Sequence, residues 1–231
     1  MIKENIHRIN AQILRVCSKI NRNPEEISIV AVSKERSPQE IKEVILVGIA
    51  DIGENRVQEA VAKYIELRPN TYDLRPIKWH MIGHLQTNKV KEAVKIFDLI
   101  QSVDSLHLAV EIDKQAVKID KVQDILIEIK TSTEAAKFGL KPNEAVEVIK
   151  EIAGLKNINI KGLMTVAPLV DNPEKARPYF KMLKEFRDEI MRYSVLDTPY
   201  PILSMGMTDD FEVAIEEGSN MVRLGRAIFG E

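Results

Sequence analysis

Apolar residues Ile2, Ile6, Ile9, Ile13, Val16, Cys17 and Ile20 recur at spacings of mostly three and four in the opening segment, and the pattern stops near residues 21–24. That spacing lays one stripe along an α-helix. Beyond it the apolar pattern shortens to strand-length runs at 27–34, 49–55, 77–83, 99–103, 125–130, 160–165, 202–206 and 220–224. Helical patterns at 38–47, 57–67, 88–96, 105–119, 142–154, 175–193 and 209–217 fall between them. Alternation sustained over eight strands predicts a (β/α)8 barrel, although a doubly wound sheet shares the local grammar. The Pro-bearing loops at 68–76 and 167–173 interrupt the pattern without changing composition, and no linker, low-complexity tract or close repeat divides the chain. The expectation is a single-domain α/β TIM barrel over residues 1–231, with an additional N-terminal helix.

The 231 residues suffice for one large α/β core, and the formal net charge of -2, with no sustained Lys/Arg block, turns away nucleic acid and anionic membrane surfaces as main partners. Small molecules are left. No window approaches the roughly 18 uninterrupted apolar residues of a membrane span, and the start, Met1-Ile2-Lys3-Glu4-Asn5, is charged rather than signal-like, so a cytoplasmic location is expected. Cys17 is the only cysteine, which excludes a disulfide within the chain and a thiolate metal cluster; it reads as core.

A barrel gathers the carboxyl ends of its strands at one mouth, where active sites of this fold sit. The polar residues there are Lys34 after the first strand, Asn55 after the second, His80 and His84 around the third, Lys130 and Lys137 after the fifth, Ser204 after the seventh and Arg223 on the eighth. In Leu203-Ser204-Met205-Gly206-Met207-Thr208-Asp209-Asp210, Gly206 permits close backbone approach, Thr208 or Asp209 can cap the next helix, and Ser204 adds a hydroxyl. Such a turn suits an oxyanion, and it equally suits an ordinary capped strand-to-helix connection. Strand alternation puts Arg223 and Gly225 on one face and Val222 and Leu224 on the other. His80 and His84 lie four apart, but Gly83 and the strand pattern make that spacing uninformative for a metal, and none is expected. Lys137 reads as a loop residue that solvation alone would satisfy, Met205 and Met207 as loop packing, and Asp209-Asp210 as capping. Glu54 and Glu59 show no partner pattern that would mark a general acid and base.

The runs Ala31-Val32-Ser33-Lys34, Gly53-Glu54-Asn55-Arg56-Val57-Gln58-Glu59, Trp79-His80-Met81-Ile82-Gly83-His84-Leu85-Gln86-Thr87-Asn88-Lys89, Gly162-Leu163-Met164, Leu203-Ser204-Met205-Gly206-Met207 and Val222-Arg223-Leu224-Gly225 resemble, in that order, those of the pyridoxal phosphate homeostasis proteins. That family is similar in turn to the N-terminal barrel of alanine racemase. The resemblance runs from the first helix to the last residues. It implies pyridoxal 5′-phosphate (PLP) as cofactor, held as an aldimine on Lys34, with Arg223 facing the pyridine nitrogen. Ser204, Gly206, Gly225 and Arg226 would hold the phosphate, and Asn55, His80 and Met164 would line the ring pocket. Many family members carry threonine where this chain has Arg226, which leaves its backbone N–H and an added positive charge in place of a hydroxyl.

The same resemblance implies a role in intracellular vitamin B6 homeostasis, buffering or delivering PLP, with PLP-dependent apoenzymes as potential partners. Lys34 must be able to lose its proton to bond the cofactor, and a guanidinium beside the pyridine nitrogen disfavours its protonation, weakening the ring as an electron sink. Racemisation needs a second base opposite the lysine. In alanine racemase a partner subunit supplies it and a C-terminal β-domain helps enclose the substrate, whereas this chain ends at Glu231, just after the eighth strand. The expectation is therefore a monomeric cofactor-binding regulator with no catalytic residue. Two alternatives stand beside it: a weak PLP-dependent amino-acid racemase using Lys34 and an unidentified second base, and a barrel enzyme that forms a Schiff base between Lys34 and a sugar phosphate without PLP.

Overall fold

The computed structural model describes residues 1–67, 76–132, 134, 138–192 and 201–230. All but the last residue of the loop expected at 68–76, and Lys137, lie outside these. Helix α1 (Ile2–Lys19) precedes β1 (Ser28–Val32), α2 (Pro38–Leu46), β2 (Asp51–Glu54), α3 (Val57–Leu67), β3 (Lys78–Met81), α4 (Val90–Ile96) and β4 (Leu99–Val103). There follow α5 (Leu106–Ala116), β5 (Gln123–Glu128), α6 (Pro142–Ala153), β6 (Ile158–Met164), α7 (Arg177–Arg192), β7 (Ile202–Ser204), α8 (Phe211–Glu216), β8 (Met221–Leu224) and α9 (Arg226–Phe229). Each strand pairs in parallel with the next, and β8 pairs with β1 to close the barrel. Every strand the pattern predicts is present, with ends displaced by at most two residues; β5 and β6 begin two residues before the expected runs, and β4 coincides with its run. Among the described residues no helix is long and apolar enough to cross a membrane.

Period two along the strands sorts two apolar populations. Val30, Leu99, Leu126, Met164 and Met221 pack together inside the barrel, while Ala31, Ile100, Ile125, Ile127, Leu163 and Val222 join the larger core between barrel and helices. Glu128 and Arg223 stand two residues beyond Leu126 and Met221, so both point inward. Lys34 keeps the inward phase of Val30 and Val32.

Helix α9 was not anticipated, because four residues show no periodicity. Ile228 and Phe229 are buried, and the Ile228 carbonyl accepts a hydrogen bond from Asn5 Nδ2 at 2.9 Å. Helix α1, whose apolar stripe is buried as its spacing predicts, also reaches α8 through Gln12 to Glu212 and Lys19 to Glu216.

A buried lysine fixes the end of β1. Lys63 Nζ donates to the Ser33 carbonyl at 2.5 Å and to Glu54 Oε1 and Glu59 Oε1, each at 2.7 Å. Ser33 Oγ donates to the same Glu54 oxygen at 2.5 Å, and Glu59 Oε1 accepts the Glu35 N–H at 2.5 Å. Glu35 has φ 61, a left-handed conformation that costs an L-residue about 1–2 kcal/mol. Lys34 thus stands between two clamped residues, with its own side chain exposed. Burial raises the proton affinity of Glu54 against the opposing hydrogen bonds from Lys63 and Ser33. Removing Lys63 leaves that carboxyl without its cation, so Lys63→Met is expected to lose roughly 3–5 kcal/mol of stability in urea denaturation; a loss below about 1 kcal/mol would show the clamp to be dispensable.

Candidate functional site

A cavity of about 640 Å³ opens beside Lys34 at the carboxyl ends of β1 and β8. Its charged lining comprises Lys34, Arg36, Arg223 and Arg226 against Glu35 and Asp209, an excess of positive charge that suits an anion. Lys34 is exposed at its edge, not desolvated. Arg36 is anchored, donating to the Gly230 carbonyl at 2.7 Å and lying over the Phe229 ring at 5.4 Å. The Arg226 guanidinium donates to Asp209 Oδ2 at 2.5 Å.

Arg223 is 4% exposed. Its Nη1 donates to Ser204 Oγ at 2.6 Å and its Nη2 to the Thr165 carbonyl at 2.8 Å. No carboxylate among the described residues forms an ion pair with it. Burial draws its pKa down to about 10, against the opposing pull of Glu128 and Asp210, so it remains a cation at neutral pH. Below it a polar chain crosses the barrel interior. Ser204 Oγ donates to Gln101 Oε1 at 2.6 Å, Gln101 Nε2 meets His80 Nδ1 at 3.0 Å, and His80 Nε2 meets Asp51 Oδ1 at 2.9 Å. The amide donates to Nδ1, which puts the ring proton on Nε2, facing the Asp51 carboxylate.

The predicted residues therefore separate. Lys34, Arg223, Gly225 and Arg226 share one cavity. Asn55 lines another, of about 370 Å³, with Gln86 and Lys89. His80 and Ser204 belong to the interior chain that orients Arg223, and Met164 to the interior apolar cluster. His84 is stacked on Phe138, with ring centroids 3.7 Å apart. Asp210, rather than Thr208 or Asp209, is the N-cap residue of α8, and its carboxylate accepts the Met207 N–H at 2.6 Å; Thr208 Oγ1 instead accepts the Ala227 N–H at 3.3 Å.

The two glycines have different causes. Gly206 has φ +94, and a Cβ there would stand 2.6 Å from the Ala214 Cβ; backbone and packing both require it. A Cβ at Gly225 would come no nearer than 3.5 Å to Val32, an ordinary contact, and φ is −107. Neither requires glycine at 225, so its bare backbone is left open to the cavity. Sequence reasoning missed Lys63, Gln101, Thr165 and Glu128. Of these Glu128 carried a signal, as a carboxylate inside the apolar run Ile125-Leu126-Ile127-Glu128-Ile129.

Residues 5–231 match the family described as alanine racemase, N-terminal domain. The chain is 43% identical over 229 residues to the pyridoxal phosphate homeostasis protein of Aquifex aeolicus, covering 99% of this chain and 97% of that one. It is 34% identical over 232 residues to the protein of that name from Escherichia coli K12, covering 99% and 96%. Among solved structures, PipY of Synechococcus elongatus, determined with PLP bound, superposes with a TM-score of 0.84 at 32% identity, over the full length of both chains. By these matches, and by its closed eight-stranded parallel barrel, the chain belongs to the alanine racemase N-terminal domain family and, within it, to the pyridoxal phosphate homeostasis proteins.

Proposed function

We propose that this protein binds PLP in the cavity beside Lys34 and serves its homeostasis, holding the cofactor on Lys34 and releasing it to acceptors, without a dedicated turnover. The observation that carries this is one cavity presenting an accessible primary amine, a buried guanidinium without a carboxylate partner, and a bare backbone segment. PLP brings an aldehyde that condenses reversibly with a primary amine, releasing water, together with a phosphate and a pyridine nitrogen. Lys34 matches the first as the amine. The Gly225–Arg226 backbone and the positive excess of the walls match the phosphate. Arg223 matches the nitrogen as a fixed donor that keeps its own proton, so the ring nitrogen stays unprotonated, unlike one facing a carboxylate. Ser204, Gln101 and His80 serve by holding Arg223 in place.

Exposure of Lys34 favours holding over turnover. Water and incoming amines reach the bond between lysine and cofactor, because Lys34 is exposed and no described residue lining its cavity covers it. The relatives' name as homeostasis proteins supports the same choice.

Two outcomes are expected. PLP added to the purified protein should give a visible absorption band, and borohydride followed by peptide mass spectrometry should place the phosphopyridoxyl group on Lys34, with no adduct in Lys34→Ala. An adduct elsewhere, or none, sinks the assignment. Gly225→Ala should weaken PLP binding about five- to tenfold, roughly 1–1.4 kcal/mol, while its urea midpoint stays at the parent value, because the added methyl makes only an ordinary contact with Val32. An unchanged affinity would remove Gly225 from the site.

A further inference from the structure

A third cavity, of about 250 Å³, opens at the carboxyl ends of β3, β5 and β6. Its polar wall includes Glu128 and Ser132, and its apolar wall includes Ile82, Phe138 and Val166. Glu128 ends β5, which stands across the ring of eight strands from β1. Its carboxyl therefore faces the mouth from the side opposite Lys34.

Both polar groups are incomplete. Glu128 is 8% and Ser132 7% exposed. Ser132 Oγ has no hydrogen-bond partner, and among the described residues Glu128 has neither a hydrogen-bond nor an ion-pair partner for its carboxyl. Among the described residues, none of the charged groups nearby bonds its carboxyl. Asp104, after β4, faces it with like charge while engaging His84 Nδ1 at 3.3 Å; Arg223 of β8 attracts it but spends its hydrogen bonds on Ser204 and Thr165; Lys130 lines the same wall. Burial first, then Asp104, push the Glu128 pKa up to about 7 against the pull of Arg223. A buried carboxylate without a partner is costly, and a cation arriving with hydrogen-bond donors relieves it.

The donor set selects the kind of cation. A divalent metal needs six or more oxygen ligands or a cluster of His, Cys and carboxylate side chains, and the described residues hold no group of three such side chains. An ammonium group carries three donors, enough for a Glu128 oxygen and the Ser132 hydroxyl together. The apolar side of a cavity this small takes a tail of a few carbon atoms.

We infer that this cavity binds the ammonium group of a small primary amine, with Glu128 as its charge partner and the Ser132 hydroxyl as second acceptor. The consequence for function rests on the PLP assignment: an amine held there lies across the mouth from Lys34, and on passing its ammonium proton to Glu128 it would be free to add to the cofactor's aldehyde carbon in place of Lys34, whose amine is released.

The test uses cofactor-free protein, so its outcome is independent of whether Lys34 carries PLP. Protein labelled with carbon-13 at the glutamate carboxyls is titrated with propylammonium chloride, the Glu128 resonance being assigned by through-bond correlation to its backbone and checked with Glu128→Gln. A saturating shift of that resonance is expected, with affinity rising about tenfold from pH 6 to pH 8 as Glu128 becomes ionised around its raised value. The sign follows from the charge, since the carboxylate that attracts the amine is lost as pH falls. Glu128→Gln should weaken binding at least tenfold at pH 8 and abolish its pH dependence, and Ser132→Ala should weaken it a fewfold with the pH dependence intact. A Glu128 resonance that fails to saturate, equal affinity in Glu128→Gln, or a matching response to potassium chloride would overturn the inference. The pH profile of the parent protein and the Ser132 variant decide the matter even if Glu128→Gln does not fold.

Discussion

A guanidinium buried within a parallel barrel is the constraint from which the rest of the interior follows. Taking such a cation out of water costs several kcal/mol unless hydrogen bonds replace hydration, and Arg223 donates them to the Ser204 hydroxyl and the Thr165 carbonyl. Those acceptors need ordering in turn. Hence strands that are otherwise apolar carry Gln101 and His80 on their inner faces, and the chain of hydrogen bonds ends only at Asp51. The register of β8 against β1, with Val30 opposite Arg223, then sets the height of the cation below the mouth.

Lys34 is its counterpart, and opposite rules govern it. Its backbone is pinned on both sides by the Lys63, Glu54 and Glu59 network, while its amine stays exposed. A buried, hydrogen-bonded donor and an exposed amine thus line one cavity, with Gly225 leaving part of its wall bare. Under the proposed function, such an arrangement serves to hold PLP by reversible bonding. Committed turnover asks for more, namely bases placed on both faces and exclusion of water.

Much of the fold was legible because each strand announces itself. Period-two runs such as 27–34 and 220–224 gave strand positions to within a few residues, and the alternation with helical patterns gave the barrel. Helix α9 was not legible, since its four residues are set by burial of Ile228 and Phe229 against neighbours far away in sequence. The site was legible where chemistry and strand phase coincide: Arg223 and Gly225 share a face as alternation requires, and Lys34 stands at a strand end. It was less so where a role depends on contacts across the barrel. His80 and Ser204 sit on inward positions like any lining residue, yet their partners are Asp51, Gln101 and Arg223. Lys63 looked like one charge among many on α3, because only the folded chain brings it to Ser33, Glu54 and Glu59.

The claim that an Arg223 cation with no ion-pair partner among the described residues dictates the character of the site is tested most directly by the nitrogen-15 spectrum of PLP labelled at its ring nitrogen and bound to the protein at neutral pH. Contact with a protonated guanidinium predicts the chemical shift of an unprotonated pyridine, moving toward the protonated value in Arg223→Glu. A protonated nitrogen in the parent protein would contradict the account and place a carboxyl, rather than Arg223, beside the ring.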